Sequence, residues 1–293
     1  MKSFEYLRPS SLEGACAMLA TPDGPVKALA GGTDLLVQMK QGGLEPHALV
    51  SLHDVPDLDV LGQDGDGNLV IGSVASLGAV ENSQDVLAAF PGIAEAASFV
   101  GSMQVRSRAT VGGNLCNAAP SADTAPILLA CGATAVITDG KTERSLLLED
   151  FFTGPGQTVL KPGELLKAIV VPPLPKTSFA KYFKSFRSAM DCCTVGVAAF
   201  VDFAPGSAVV NDVRLALGAV APTPIRARAA EALLRGQELD EALIDRASVE
   251  AAGDAQPISD LRASAEYRKV LVEVLSRRAL TAARAWAEKG AEA

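Results

Sequence analysis

Two glycine-centred segments, Leu29-Ala-Gly-Gly-Thr-Asp-Leu35 and Thr110-Val-Gly-Gly-Asn114, stand about eighty positions apart in a chain of 293 residues. Each follows an apolar stretch, and each lacks side chains where a backbone could approach a ligand closely. In the first, successive backbone N–H groups, the Thr33 hydroxyl and a helix start suit an anion, because such N–H groups carry partial positive charge. It is not a GxGxxG fingerprint: only two glycines are present, and no acidic residue follows a second strand at the expected spacing. The second continues as Leu-Cys-Asn-Ala-Ala-Pro-Ser-Ala-Asp123, where Asn114 and Asp123 offer polar contacts to hydroxyl or amide groups. Two such loops suit a bound diphosphate. Taken singly, each also reads as an ordinary turn before a helix, capped by Thr33 or Asp34 in the first case and by an Asx or Ser side chain in the second.

No other chemistry competes. Cys16, Cys116, Cys131, Cys192 and Cys193 are odd in number and contain no CxxC, so a secreted disulfide framework is not expected, and most read as small buried apolar residues. His47 and His53 have no second His or Cys at metal-ligand spacing, and no nucleophile has a neighbouring base. The reading therefore assigns no catalytic residue and no metal ligand to this chain. Lys184 and Arg187 lie in an edge-rich strand, where such side chains are usually solvated.

The elements that must position these residues follow from pattern. A strand at 4–7 precedes Ser10 and Glu13 in capping-box spacing and a helix with Leu12, Ala15, Cys16 and Leu19 on one face. Residues 26–30 form a strand, 35–40 a short helix and 48–52 another strand. Extended segments at 57–75 flank a turn at 64–68, helical spacing returns at 86–100, and a helix starts near Asp123 because Pro126 is accepted only in a first turn. Strands are expected at 133–138, 144–148 and 165–171. Three prolines in the four positions 172–175 forbid a helix interior or a central strand, which places a linker there. Strands at 179–186, 195–203 and 209–220 then suggest an antiparallel meander, followed by helices at 225–235, 241–251 and 262–288. The composition, 48% hydrophobic and 5% aromatic with net charge −8 and no run of Lys and Arg, argues against a nucleic-acid or anionic-membrane surface. With no eighteen-residue apolar stretch and no leader pattern, membrane insertion is not expected and a cytoplasmic location is.

Together, LAGGTDLL and, at this distance, QVRSRATVGGNLCNAAPSAD resemble the FAD-binding subunit of the molybdenum hydroxylases, the family of xanthine dehydrogenase and the carbon monoxide dehydrogenase medium subunit. The resemblance covers nearly the whole chain. It implies an α+β fold in which residues 1–175 form a PCMH-type FAD-binding domain. Its subdomains are a small α/β unit, 1–55, and a mixed sheet with helices, 56–175. Residues 176–293 would form a C-terminal α+β domain with an antiparallel three-stranded sheet. It implies FAD in this chain, held by Leu29, Ala30, Gly31, Gly32, Thr33, Asp34 and Leu35, and by Thr110, Val111, Gly112, Gly113 and Asn114. Asp123 falls at the family's acidic position, Leu166 at an apolar contact and Lys184 at the basic position near the flavin. The position that is aromatic in the mammalian enzyme is Val100 here, which leaves the shielding of one flavin face open, and neighbouring Phe99 is not expected to replace it.

By the same resemblance the partners are a large subunit with a molybdenum-pterin cofactor and a small subunit with two [2Fe–2S] clusters, arranged as a dimer of heterotrimers. This chain would pass their electrons to an external acceptor. Between Asn114 and Leu165 only Cys116 and Cys131 occur, so the cysteine-rich insertion of the benzoyl-CoA-type branch is missing, and GGTD in place of GGHS points away from the carbon monoxide branch. Two other readings stand beside this one. A stand-alone flavin oxidase or reductase would need a catalytic acid or base in its second domain. A flavin-free scaffold would lack the flavin absorption spectrum.

Overall fold

The computed structural model describes residues 1–21 and 24–291. Its first unit is a three-stranded, fully parallel sheet in the order β1 (Glu5–Leu7), β3 (Ala48–Ser51), β2 (Val26–Leu29). Parallel neighbours need crossovers, and the helices α1 (Leu12–Leu19) and α2 (Leu35–Lys40) supply them. The cap of α1 is Ser11, whose hydroxyl accepts from the Gly14 N–H at 3.1 Å, rather than the expected Ser10. β3 is buried along its whole length because strands flank it on both sides.

The second unit is an antiparallel sheet in the order β4 (Leu61–Gln63), β5 (Leu69–Gly72), β10 (Leu165–Val171), β6 (Thr134–Thr138), β7 (Glu143–Leu147). A small hairpin, β8 (Phe152–Gly154) and β9 (Gln157–Thr158), precedes β10. Six helices connect β5 to β6 and share one core with the sheet: α3 (Leu77–Asn82), α4 (Gln84–Ala89), α5 (Pro91–Ser98), α6 (Met103–Arg106), α7 (Val111–Asn117) and α8 (Thr124–Ala130). The single helix expected at 86–100 is broken, because Pro91 has no N–H to continue α4 and instead opens α5. Every residue of α8 is buried, and Pro126 sits in its first turn as expected.

Residues 172–177 run without regular structure to the C-terminal meander β11 (Ser178–Ser185), β12 (Val195–Phe203), β13 (Val210–Gly218). A fourth strand, β14 (Ile225–Arg226), pairs with β13, so the expected helix at 225–235 shortens to α9 (Arg228–Leu234). Helices α10 (Glu241–Asp254) and α11 (Ala265–Ala291) complete the chain. All nine residues of β12 are buried because both faces of the sheet are covered. One face, through Ala198, Phe200 and Ala216, joins the core of the second unit, and the other, through Val197, Val201 and Leu215, packs on α9, α10 and α11.

Candidate functional site

The first glycine segment leaves β2 after the Leu29 carbonyl accepts from the Leu52 N–H at 3.0 Å. Gly32 takes φ +74°, a left-handed conformation that glycine adopts without steric penalty. That turn directs carbonyls inward along α2: Gly32 accepts from the Leu36 N–H and Asp34 from the Gln38 N–H. The N–H groups of residues 30–35 have no acceptor among the described residues. Neither Thr33 nor Asp34 caps the helix with its side chain, so the capped-turn alternative fails here. Six consecutive N–H groups on half-buried or exposed residues form a row of partial positive charge suited to an anion. Burial raises the pKa of Asp34 beside them.

The second segment is not a loop. Thr110 caps α7, its hydroxyl accepting from the Gly113 N–H at 3.0 Å, and Val111 to Asn114 form the first turn of that helix. Its donors are all taken: Val111 N–H by Ala75, Gly112 N–H by Ser73 at 3.0 Å, and Asn114 N–H by the Thr110 carbonyl. The glycines here serve close packing. A Cβ on Gly112 would lie 2.5 Å from the Ser73 carbonyl oxygen, and one on Gly31 would overlap the Arg108 carbonyl and lie 2.8 Å from the Ala109 Cα. The first segment therefore packs on the Arg108–Ala109 backbone that leads into the second, and the second packs on Ser73. The Asn114 carboxamide oxygen accepts from the Thr124 hydroxyl, and Gln38 of α2 reaches Asn117 at 3.4 Å.

Leu166 is only 2% exposed in the second-unit core, so its side chain has no surface for a ligand. Its strand has a bulge between Leu166 and Ala168, where the Lys167 carbonyl accepts from Ser73 N–H and so links the strand through Ser73 to Gly112.

The polar residues downstream meet elsewhere in the same region. Lys184 is not solvated: its side chain is 1% exposed, and its Nζ donates to Asp123 Oδ2 at 2.9 Å and to the Phe99 carbonyl at 3.0 Å. Asp123 Oδ1 accepts from the Tyr182 hydroxyl at 2.9 Å. Burial raises the pKa of Asp123, while Lys184 and Tyr182 pull it back. Tyr182 escaped the sequence reading, although its spacing of two from Lys184 already places both on one face of a strand. Phe99 packs edge-on against Tyr182 with centroids 6.1 Å apart and also meets Phe186. Val100 next to it is half-buried against the core. Arg187 is exposed and paired with Asp191. His53 contacts Arg108 at 3.3 Å, and both histidines are exposed. A separate cleft of about 510 Å³ between α5, the start of β11 and Trp286 contains none of the expected site residues.

Residues 2–174 match the family model described as the FAD binding domain in molybdopterin dehydrogenase, and residues 180–283 match that of the CO dehydrogenase flavoprotein C-terminal domain. The chain is 34% identical to the xanthine dehydrogenase FAD-binding subunit of Escherichia coli O157:H7, with 95% of each chain covered. It is 33% identical to the carbon monoxide dehydrogenase medium chain of Afipia carboxidovorans, with 98% of each covered. These values do not separate the two branches that GGTD was expected to distinguish. A crystal structure of Cu,Mo-CO dehydrogenase in its cyanide-inactivated form superimposes with a TM-score of 0.92 at 33% identity, covering 97% of this chain and 98% of that one. The α+β architecture and the C-terminal antiparallel sheet agree with that structure. The chain belongs to the family of FAD-binding subunits of the molybdenum hydroxylases, which are oxidoreductases.

Proposed function

We propose that this chain is the FAD-carrying electron-transfer subunit of a heteromeric molybdenum hydroxylase. In this reading, a small partner with two [2Fe–2S] clusters supplies electrons, a large molybdenum-pterin partner hydroxylates the substrate, and an external acceptor takes the electrons from this chain. Bound flavin supplies the ability to exchange electrons singly or in pairs. Everything else asked of the chain is binding, orientation and charge.

The observation that carries the reading is the row of unpartnered N–H groups at residues 30–35, which suits the doubly charged diphosphate of a dinucleotide. Leu29 to Leu35 would hold that diphosphate. Gly31 packs on the Arg108–Ala109 backbone that leads into the second segment, and Asn114, with Thr110 through its backbone, would face the rest of the cofactor. A contribution of Leu166 would come from its backbone, since its side chain is sealed. Asp123 and Lys184 would present a buried pair of opposite charges to the ring system, with Val100 at its flank. Residues 1–175 are then the flavin-binding part and 176–293 its companion, in a dimer of heterotrimers located in the cytoplasm.

Co-expression with the large and small partner genes and purification of the complex tests this. The expected complex contains molybdenum and iron, and shows flavin absorption that bleaches when substrate is added anaerobically. A complex that turns over with no flavin, or a flavin that stays oxidised while the iron–sulfur clusters are reduced, overturns it.

A further inference from the structure

We propose that Tyr182 is a positioning residue that fixes the Asp123–Lys184 pair and thereby sets the charge facing the bound flavin. The inference rests on the flavin reading above and adds to it a residue that need not touch the cofactor. Tyr182 is 1% exposed, and room for its ring comes from Gly196 on the adjacent strand, where a Cβ would lie 2.9 Å from the ring. Its ring packs edge-on against Phe99, whose carbonyl accepts from Lys184. The hydroxyl donates to one oxygen of Asp123 while Lys184 donates to the other, so both carboxylate oxygens are held by groups two residues apart on β11.

The arrangement decides a charge. With Asp123 ionised, Lys184 is neutralised by its partner, and the flavin faces a pair of no net charge. With Asp123 protonated, Lys184 stands as an uncompensated cation, which favours the more negative reduced flavin and raises its midpoint potential. Burial pushes Asp123 toward protonation, and the Lys184 ammonium and Tyr182 hydroxyl oppose it. The Cys193 thiol is a further titratable group facing this cluster, its Sγ 3.5 Å from the Tyr182 oxygen, whose single proton goes to Asp123. Behind it lies Arg268, bonded to the Thr194 carbonyl.

The test is the midpoint potential of the flavin as a function of pH, measured by spectroelectrochemistry on the purified complex. In Tyr182→Phe the carboxylate loses its hydroxyl donor and protonates at higher pH. Its potential is expected to match the wild type in alkali and to rise above it as the pH falls. Asp123→Asn, neutral at every pH, is expected to sit above the wild type wherever wild-type Asp123 is ionised and to converge with it as the pH falls. A Tyr182→Phe complex that retains flavin and follows the wild-type curve at all pH values overturns the proposal. So does an Asp123→Asn complex whose potential is unchanged. A wild-type complex without flavin absorption refutes the functional reading itself, which separates the two failures.

Discussion

Gly31–Gly32 and Gly112–Gly113 carry the same dipeptide and follow apolar residues alike, and Gly31 is pressed against the Arg108–Ala109 backbone just ahead of the second pair. Their backbones nevertheless do opposite things. Around Gly31 the N–H groups of six consecutive residues have no acceptor among the described residues, whereas those of Val111 to Asn114 are taken by Ala75, Ser73 or Thr110. The difference begins with φ. Gly32 at +74° turns the chain out of a helical course, and Gly112 and Gly113 stay within one. A glycine pair therefore exposes a backbone only where it also interrupts the local hydrogen-bond ladder. The first segment is suited to grip an anion, and the second to let that grip approach the second-unit core.

The largest effect is expected from Gly31→Ala. Its Cβ would collide with backbone rather than with a movable side chain, forcing the first segment away from Arg108 and Ala109. Flavin content of the purified complex should fall to near zero, with a lower melting temperature. Retention of full flavin absorbance would mean that this packing is not needed to hold the flavin. Next is Gly112→Ala, which presses a Cβ against the Ser73 backbone and costs about 1–3 kcal/mol as overpacking. In a domain of this size that lowers the melting temperature by roughly 2–4 °C per kcal/mol. The comparison predicts that stability falls first and flavin content only in proportion. Flavin loss at an unchanged melting temperature would break it.

How much of this could be read in the sequence depends on the range of the interaction. Periodicity located α2, β10 and β12 almost to the residue, and Pro126 located the start of α8, because each is decided by its own apolar pattern and its local breakers. The Asp64 turn was legible for the same reason, since its carboxylate bonds N–H groups two and four residues on. What failed depends on partners distant in sequence. Nothing local announces that the edge strand β11 is covered by α5, so Lys184 was read as solvated instead of buried against Asp123, 61 positions away. Likewise, Val-Gly-Gly-Asn has poor helix propensity and reads as a loop, yet Ala75 and Ser73 accept its first N–H groups and hold it helical. The resemblance named the site residues; it left open which of them face a ligand and which face one another.

Gly32→Ala sharpens the comparison from the other side. Its Cβ would meet only the movable ends of Leu29 and Leu36, at 3.0 and 3.2 Å, so the cost comes mainly from holding alanine at positive φ, about 1–2 kcal/mol. Asparagine tolerates that conformation better, so Gly32→Asn should recover part of the melting temperature that Gly32→Ala loses. Equal losses in the two variants would show that side-chain crowding rather than φ governs the turn.

The smallest effect, and the most discriminating, belongs to Thr110. As the cap of α7 its hydroxyl satisfies the Gly113 N–H, and Thr110→Ala should cost about 1 kcal/mol, while Thr110→Ser retains the acceptor and should stay close to wild type. If the second segment is packing and the first is the grip, both variants should keep flavin at wild-type stoichiometry, with only the alanine variant melting earlier. The opposite pattern, flavin lost from Thr110→Ala at an unchanged melting temperature and restored in Thr110→Ser, would identify that hydroxyl as a ligand group. The division of labour between the two segments would then have to be redrawn with α7 as part of the grip.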